Sequence, residues 1–296
     1  MRKEGAAARR RFLKILSWNI QWCRGCDGSV DHARIAKVAR EMADFDVLCL
    51  QEVACNYPDL PGSAGEDQFE ILAGLFPEYV VVKGVATDVI APLRERRQFG
   101  NALLTRLPLL QVYRHLLPWP ADAAAQGMQR SAIEVVLQSA SGPLRVTTTH
   151  LEYYSAKQRA AQVERLRDLQ IEAAGHAGNL PLPEKHNGPI QPMPRPASGV
   201  LTADFNFRPE DAMHARIQAP LGGGIPAYRD AWELRHPGKP HAPTLGVLDK
   251  RQWPGPALAC DFIFVTEDLA GRVENVVVNL ATDASDHQPV LLQLRD

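Results

Sequence analysis

The segment Ala132-Ile133-Glu134-Val135-Val136-Leu137-Gln138-Ser139-Ala140-Ser141-Gly142-Pro143-Leu144-Arg145-Val146-Thr147-Thr148-Thr149-His150 reads as two apolar strands joined by one tight turn. β-Branched residues fill both halves, and Ser141-Gly142-Pro143 breaks them. Strands this close in sequence leave no room for a helical crossover, so they pair antiparallel. Tyr79–Val82, Asn101–Leu104 and Leu109–Leu117 repeat the texture upstream, with short connections between most of them. Helical patterns occur only outside this strand-rich centre. The pattern fits two packed sheets flanked by helices better than a doubly wound parallel sheet.

Outward from that centre, Phe12–Ile20 is an extended apolar stretch, the expected first strand. Asp31 caps a helix that turns Ile35, Val38, Ala39 and Met42 inward. Asp46–Glu52 is a continuous apolar run ending in a carboxylate, as in a strand buried on both faces. A second helix spans Asp67–Phe76. Ser155 and Gln158 form a capping box that opens a long helix with Val163, Leu166, Leu169 and Ala173 inward. Six prolines mark a surface loop over 176–198. Val200–Asp204 is another strand ending in a carboxylate, and Pro209, Glu210 and Asp211 mark a helix start. Tyr228–Trp232 is expected as a short helix, and Leu258–Val265, Val273–Val278 and Pro289–Leu294 as the final strands. No repeat, linker or composition shift divides the chain. The expectation is a disordered basic arm over residues 1–11 and one catalytic domain over 12–296.

Hydrophobic content of 45% and charged content of 23% are ordinary for a globular protein. Thirty-three Lys and Arg against 34 Asp and Glu leave a net charge of −1, which excludes bulk attraction to nucleic acid or anionic membrane. No apolar run approaches the roughly 20 residues of a membrane span, and the basic start is not followed by a signal-peptide core. The expectation is an intracellular, cytoplasmic protein. Five cysteines argue against a disulfide framework. Cys23 and Cys26 form a C-x-x-C, but no second pair completes a zinc site, so a plain loop with two thiols is the preferred reading.

Polar side chains recur where apolar strands end: Asn19, Glu52, His150, Asp204 with Asn206, Asp261, and Asp286 with His287. One such residue is usually a cap or turn former. Six strands delivering them together imply a single functional rim. Glu52, Asn19 and Asp286 offer hard oxygens suited to Mg2+, with Mn2+ as its substitute. A histidine can take a proton from water when a carboxylate orients its ring, and Asp261 is the candidate to orient His287. Asp204 could hold the nucleophile or share a proton, while Asn206 and His150 would donate to phosphate oxygens. These parts suit hydrolysis of a phosphate ester.

Ser17-Trp18-Asn19-Ile20, Leu50-Gln51-Glu52-Val53, Gly100-Asn101-Ala102, Thr149-His150-Leu151-Glu152, Asp204-Phe205-Asn206, Asp261-Phe262-Ile263-Phe264 and Ser285-Asp286-His287-Gln288-Pro289-Val290 occur in one order from about residue 12 onward. In this the chain resembles the endonuclease/exonuclease/phosphatase superfamily, whose type member is pancreatic deoxyribonuclease. The resemblance implies a four-layer α/β sandwich and a divalent-metal phosphohydrolase. It implies metal at Glu52 with help from Asn19 and Asp286, an acid/base pair His287–Asp261, Asp204 and Asn206 beside the attacking water, and His150 on the phosphate. Asn19 and, as an accessory contact, Arg130 would bind substrate phosphate. Ala203 stands where the family often has glycine, a small residue for a small one. Gln21 stands where the abasic-site repair branch carries Asp, and that branch lacks a histidine matching His150. Both differences point toward the broader phosphodiesterases and phosphatases.

Nucleic acid is slightly favoured as substrate, because Arg94, Arg96, Arg97 and Arg130 could grip a polyanion. Phospholipid or inositol phosphate is the alternative, and Trp119, Tyr153, Tyr154 and Trp253 could wall a cleft for either. A catalytically idle binding module would have lost His287 or Glu52. A thiol redox protein built on Cys23 and Cys26 would leave the carboxylate and histidine rim unexplained.

Overall fold

Alternation decides which way each strand faces. On β1 (Phe12–Asn19), Leu13 and Ile15 enter one buried cluster while Leu16 and Trp18 enter another. On β2 (Val47–Cys55), Val47 and Cys49 separate from Leu48 and Leu50 in the same way. A period of two with both phases apolar marks a strand covered on both faces. The computed structural model, which describes residues 12–91, 94–179 and 195–296, shows what covers them.

Two six-stranded mixed sheets pack face to face. The first joins β1 and β2 to β3 (Val80–Ile90), β4 (Arg96–Thr105), β11 (Val273–Val278) and β12 (Val290–Arg295), in the order β11-β12-β1-β2-β4-β3. The second contains β5 (Leu109–Leu116), β6 (Ser131–Ser139), β7 (Gly142–His150), β8 (Gly199–Asp204), β9 (Tyr228–Asp230) and β10 (Asp261–Thr266), in the order β5-β6-β7-β8-β10-β9. Each sheet has one parallel pair, β1–β2 and β7–β8, and is otherwise antiparallel. Between the sheets, Ile15, Val47 and Leu103 meet Val135, Val146 and Ile263. Helices α1 (His32–Met42) and α2 (Gln68–Leu75) cover the outer face of the first sheet through Ile35, Ala39, Phe69 and Leu72. The long α3 (Ala156–Gly178) and α4 (Ala212–Gln218) cover the second through Val163, Leu166 and Ile217. The result is the expected four-layer α/β sandwich. Caps lie where the sequence signals them, with Asp31, Asp67, Ser155 and Asp211 each accepting from a backbone N–H of the following turn.

Three expectations change. Tyr228–Trp232 is not one helix, because Tyr228–Asp230 pairs with β10 and Asp230 then caps α5 (Ala231–Arg235). Asp261 opens its strand where it was expected to close one. Since β10 runs antiparallel to β8 with Asp261 opposite Asp204, the first residue of one strand meets the last of the other at the same rim. Residues 176–178 belong to α3 and not to the proline-rich loop; 180–194 of that loop, and the arm over 1–11, lie outside the described residues. No helix among the described residues is long and apolar enough to cross a membrane.

One buried ionic knot ties β6 and β7 to the chain that leads into β8. Glu134 accepts from Arg195 Nε at 2.7 Å and from Arg145 Nη1 at 3.4 Å, and all three side chains are buried. Burial alone would raise the Glu134 carboxyl, but His115, Arg195 and Arg145 around it pull it down to about 2. A carboxyl depressed in the folded state stabilises above its unfolded pKa and loses that contribution as pH falls through the folded value. The Glu134 contribution is therefore complete above about pH 4.5 and lost toward pH 2. Glu134→Gln should cost roughly 3–5 kcal/mol, since it removes the buried carboxylate shared by Arg145 and Arg195 and leaves Arg145 with neutral partners and Arg195 with Glu172. It should also flatten part of the wild-type loss of stability below pH 4.5 in urea titrations; an unchanged pH profile would refute this account.

Candidate active site

The site assembles where the two sheets share a rim. Asn19 is the last residue of β1, and its backbone leads into three consecutive residues with left-handed φ, Gln21, Trp22 and Cys23. Glu52 sits in a bulge of β2: Leu50 faces Ala102 and Val53 faces Gly100, so Gln51 and Glu52 oppose Asn101 alone. A bulge re-aims a side chain, and here it puts Glu52 at φ 60°. Gly100 must lack a side chain, because a Cβ there would lie 2.2 Å from the Gly84 carbonyl. Asn101 sends its Nδ2 to the Ser131 carbonyl at 3.0 Å, tying the first sheet to the second just below the rim.

From the second sheet come His150 at the end of β7, Asp204 at the end of β8 and Asp261 at the start of β10. Asn206 turns back at φ 54°, with its N–H on Asp204 Oδ1 at 3.0 Å; asparagine tolerates this conformation better than most residues. Asp286 and His287 precede β12. The Ser285 hydroxyl fixes their loop, donating to the Asn19 carbonyl at 2.8 Å and accepting from the His287 N–H at 3.2 Å. All nine candidate residues thus gather within one region, and Glu52, Arg130, His150, Asp204, Asn206, Asp286 and His287 line one pocket of about 290 Å³.

Hydrogen bonds assign the polar roles. Gln21 N–H donates to Asn19 Oδ1 at 3.0 Å, so the Asn19 amide nitrogen must face the other way. It donates to Glu52 Oε1 at 3.2 Å and Asp204 Oδ2 at 3.0 Å. In this arrangement Asn19 is a donor bridging two carboxylates. His287 Nδ1 lies 2.9 Å from Asp261 Oδ2, and its Nε2 lies 3.7 Å from Asp204 Oδ2. Burial disfavours charge on this ring, but Asp261, Asp204 and Asp286 outweigh it and hold His287 well above the ordinary histidine range. His150 behaves oppositely: burial, with Arg130 beside it, drives it down to about 3. Its Nε2 lies 2.9 Å from Asn206 Nδ2, which leaves a proton for Nδ1. Burial and the charge of Asp286 push Glu52 up to about 7, against the opposing pull of His287 and Asn19.

The donor chemistry fits a hard divalent cation. Glu52 is 19% exposed, carries a single hydrogen-bond donor, and shares the pocket with Asp204 and Asp286. Such a surplus of carboxylate is what a cation relieves. Asp286 is more committed, with Oδ2 accepting from Gln21 Nε2 at 3.0 Å and Trp253 Nε1 at 2.9 Å. Arg130 is buried on Glu152 at 3.3 Å.

Several pairings at the site were not read from the sequence. Gln21 and Trp253 hold Asp286, and Thr244 Oγ1 accepts from the Asp261 N–H at 3.1 Å. Cys260 Sγ reaches Asp261 Oδ2 at 3.5 Å. Only the apolar run ending in Cys260-Asp261 hinted at any of these. All five cysteines are free, and burial raises the Cys23 and Cys26 thiols, so neither is poised as a thiolate. A separate trio, His214, Asp230 and His241, clusters around Asp230 Oδ2 at 2.8 and 2.9 Å. Gln218 Oε1 accepts from the Asp230 N–H, which turns its amide nitrogen toward His214 Nδ1. His214 Nε2 therefore carries its proton toward Asp230, and the trio reads as a hydrogen-bonded clasp on α4 and β9.

Comparison with known proteins agrees with this architecture. The sequence profile of the Endonuclease/Exonuclease/phosphatase family matches residues 16–287. No curated protein matches the chain. An endonuclease/exonuclease/phosphatase from Beutenbergia cavernae superposes with a TM-score of 0.68 at 25% identity, covering 97% of this chain and 72% of the other. A mannosyl-6-phosphatase from Bacteroides thetaiotaomicron gives 0.64 at 16% identity over 96% and 100% of the two chains. The human Nocturnin catalytic domain with bound sulfate gives 0.59 at 17% over 96% and 93%. With its profile matched across both sheets and the whole rim, the chain belongs to the endonuclease/exonuclease/phosphatase family.

Proposed function

We infer that the protein is a divalent-metal-dependent phosphoesterase, and the observation that carries this is the convergence of Asp204, His150, His287 with Asp261, and Glu52 at one pocket. Hydrolysis forms a bond from a water oxygen to phosphorus and breaks the bond to the leaving oxygen, which departs as an alkoxide and takes its proton from solvent. Asp204 is in position to receive the proton that the water loses, because Asn19 and the Asn206 N–H fix its carboxylate. His287, backed by Asp261 and held above the ordinary histidine range, keeps a proton on Nε2 and donates it as a hydrogen bond to a phosphoryl oxygen, so it serves as a donor and not as the base that the sequence suggested. His150 adds a second, neutral donor through Nδ1. Arrays of this kind lower the barrier because they are aimed before charge develops. Glu52, with help from Asp286 and from Asn19 as neighbour, would hold Mg2+ or Mn2+, which supplies neutralising charge to the phosphoryl group.

Substrate choice depends on the pocket walls. Trp22, Phe99, Tyr153, Tyr154 and Trp253 line it, against two aliphatic side chains, Met128 and Leu245. A ring-lined wall favours nucleic-acid-type esters over phospholipid, the alternative substrate class. The mannosyl-6-phosphatase among the structural neighbours is a reminder that this fold also serves sugar phosphates.

His287→Ala and Asp204→Ala should each lower turnover of bis-p-nitrophenyl phosphate by about 10²–10⁴-fold in Mg2+; near-normal rates in both would sink the mechanism. Chelator should abolish wild-type turnover, and added Mg2+ should restore it. Independently of activity, Mg2+ should raise the melting temperature of the wild type and fail to raise that of Glu52→Gln. An equal rise in both would remove Glu52 from the metal site.

A further inference from the structure

The mouth of the pocket carries a corner built of rings. Tyr153 stands edge-on to Tyr154, with centroids 4.9 Å apart at 87°, and edge-on to Trp253 at 6.3 Å and 75°. Perpendicular rings suit a flat ligand, which can stack on one face while its edge meets the next. Tyr153 and Tyr154 are 45% and 56% exposed, so their faces are open to such a ligand. Both line the same pocket as His287 and Asp204.

The corner is held rigid. Arg159 Nη1 donates to the carbonyls of Glu152 and Tyr153 at 2.7 and 2.8 Å, and the Tyr154 N–H donates to Glu152 Oε1 at 2.9 Å. Trp253 is pinned through Nε1 to Asp286. Gly246 lies beneath it at φ 66°, where a Cβ would come within 2.7 Å of the Trp253 Cβ. Two exposed tyrosines on a fixed backbone present area without ordering cost, which is how rings serve as anchors.

The pocket lining carries no track for a long polyanion among the described residues. Among the described residues, Arg130 is the one Arg or Lys that lines the pocket, and it is paired with Glu152. Of the other arginines that could have gripped a strand, Arg96 is paired with Asp88 and Arg97 with Asp59, and the exposed Arg94 is not among the residues lining the pocket. Strand-binding sites combine stacking platforms with a positively charged groove, and their affinity comes from several phosphate contacts. The pocket, about 290 Å³, is at the small end of ligand sites.

We propose that the Tyr153–Tyr154–Trp253 corner is the subsite for a planar ring carried on the scissile phosphate, making the substrate a small ring-bearing phosphoester of the nucleoside phosphate kind and not a polynucleotide strand. This rests on the phosphoesterase reading and narrows it. AMP and ribose 5-phosphate share the same phosphorylated alcohol and differ by the base, so the ratio of their affinities in Mg2+ isolates the ring. Calorimetry should find AMP bound about tenfold tighter or more. Tyr154→Ala and Tyr153→Ala should bring that ratio close to one, and Tyr154→Phe should restore it. Equal affinities in the wild type, a ratio untouched by both alanine variants, or binding of neither compound would overturn the proposal. So would a single-stranded 20-mer that binds more tightly than AMP with a steep salt dependence. The phosphoesterase reading is judged separately, by chelator-sensitive release of p-nitrophenol from bis-p-nitrophenyl phosphate, and can stand if the ring subsite falls.

Discussion

The amide of Asn19 carries two hydrogens and gives one to each of two carboxylates, Glu52 of the first sheet and Asp204 of the second. Its oxygen is held by the Gln21 N–H, so the amide cannot turn over without leaving that donor unpaired. Around this single side chain two sheets are brought to a common rim at which like charges accumulate. Without a donor between them, Glu52 and Asp204 would repel each other in a partly dehydrated space. The spacing of Glu52 and Asp204 across the rim, and with it the fit to a cation, depends on that bridge.

The backbone around the bridge is strained. Of the seven non-glycine residues with left-handed φ among the described residues, five (Gln21, Trp22, Cys23, Glu52 and Asn206) belong to the rim or the turn leading from it. Each such residue costs of order 1–3 kcal/mol and persists because its surroundings over-determine it. Here the surroundings are the buried Trp18, whose Nε1 donates to the His287 carbonyl, and the clusters on either side of β1. The rigid core holds the rim in a geometry that a short peptide would relax away from.

Much of this was legible in the sequence. The apolar runs of β1, β2 and β6, the short turn at Ser141-Gly142-Pro143 and the caps at Asp31 and Ser155 are local signals, and they survive in the fold. The polar residues at strand ends also gather as expected, because strands of one sheet deliver their ends to one edge. The direction of β10 was not legible, since an apolar strand looks the same read either way. Asp261 was therefore expected at the wrong end and yet arrives at the right rim. Partners distant in sequence were equally hidden. Arg97 looks like a free cation until Asp59 is brought beside it, and nothing in the sequence joins Trp253 to Asp286. Such pairings are set by how loops close over the sheets, which no local pattern encodes.

The position of β12 has a consequence for how the protein comes into being. That strand lies inside the first sheet, between β11 and β1, and pairs Phe12 with Arg295. During synthesis β1 must wait for a neighbour that emerges only after nearly every other strand has been made. Closing so long a loop is slow, and an unpaired apolar edge is open to misassociation in the interval. Asp286 and His287 travel with the same segment, so the candidate site and the first sheet are completed together. A nascent chain shorter than this would have neither the closed first sheet nor His287 at the rim.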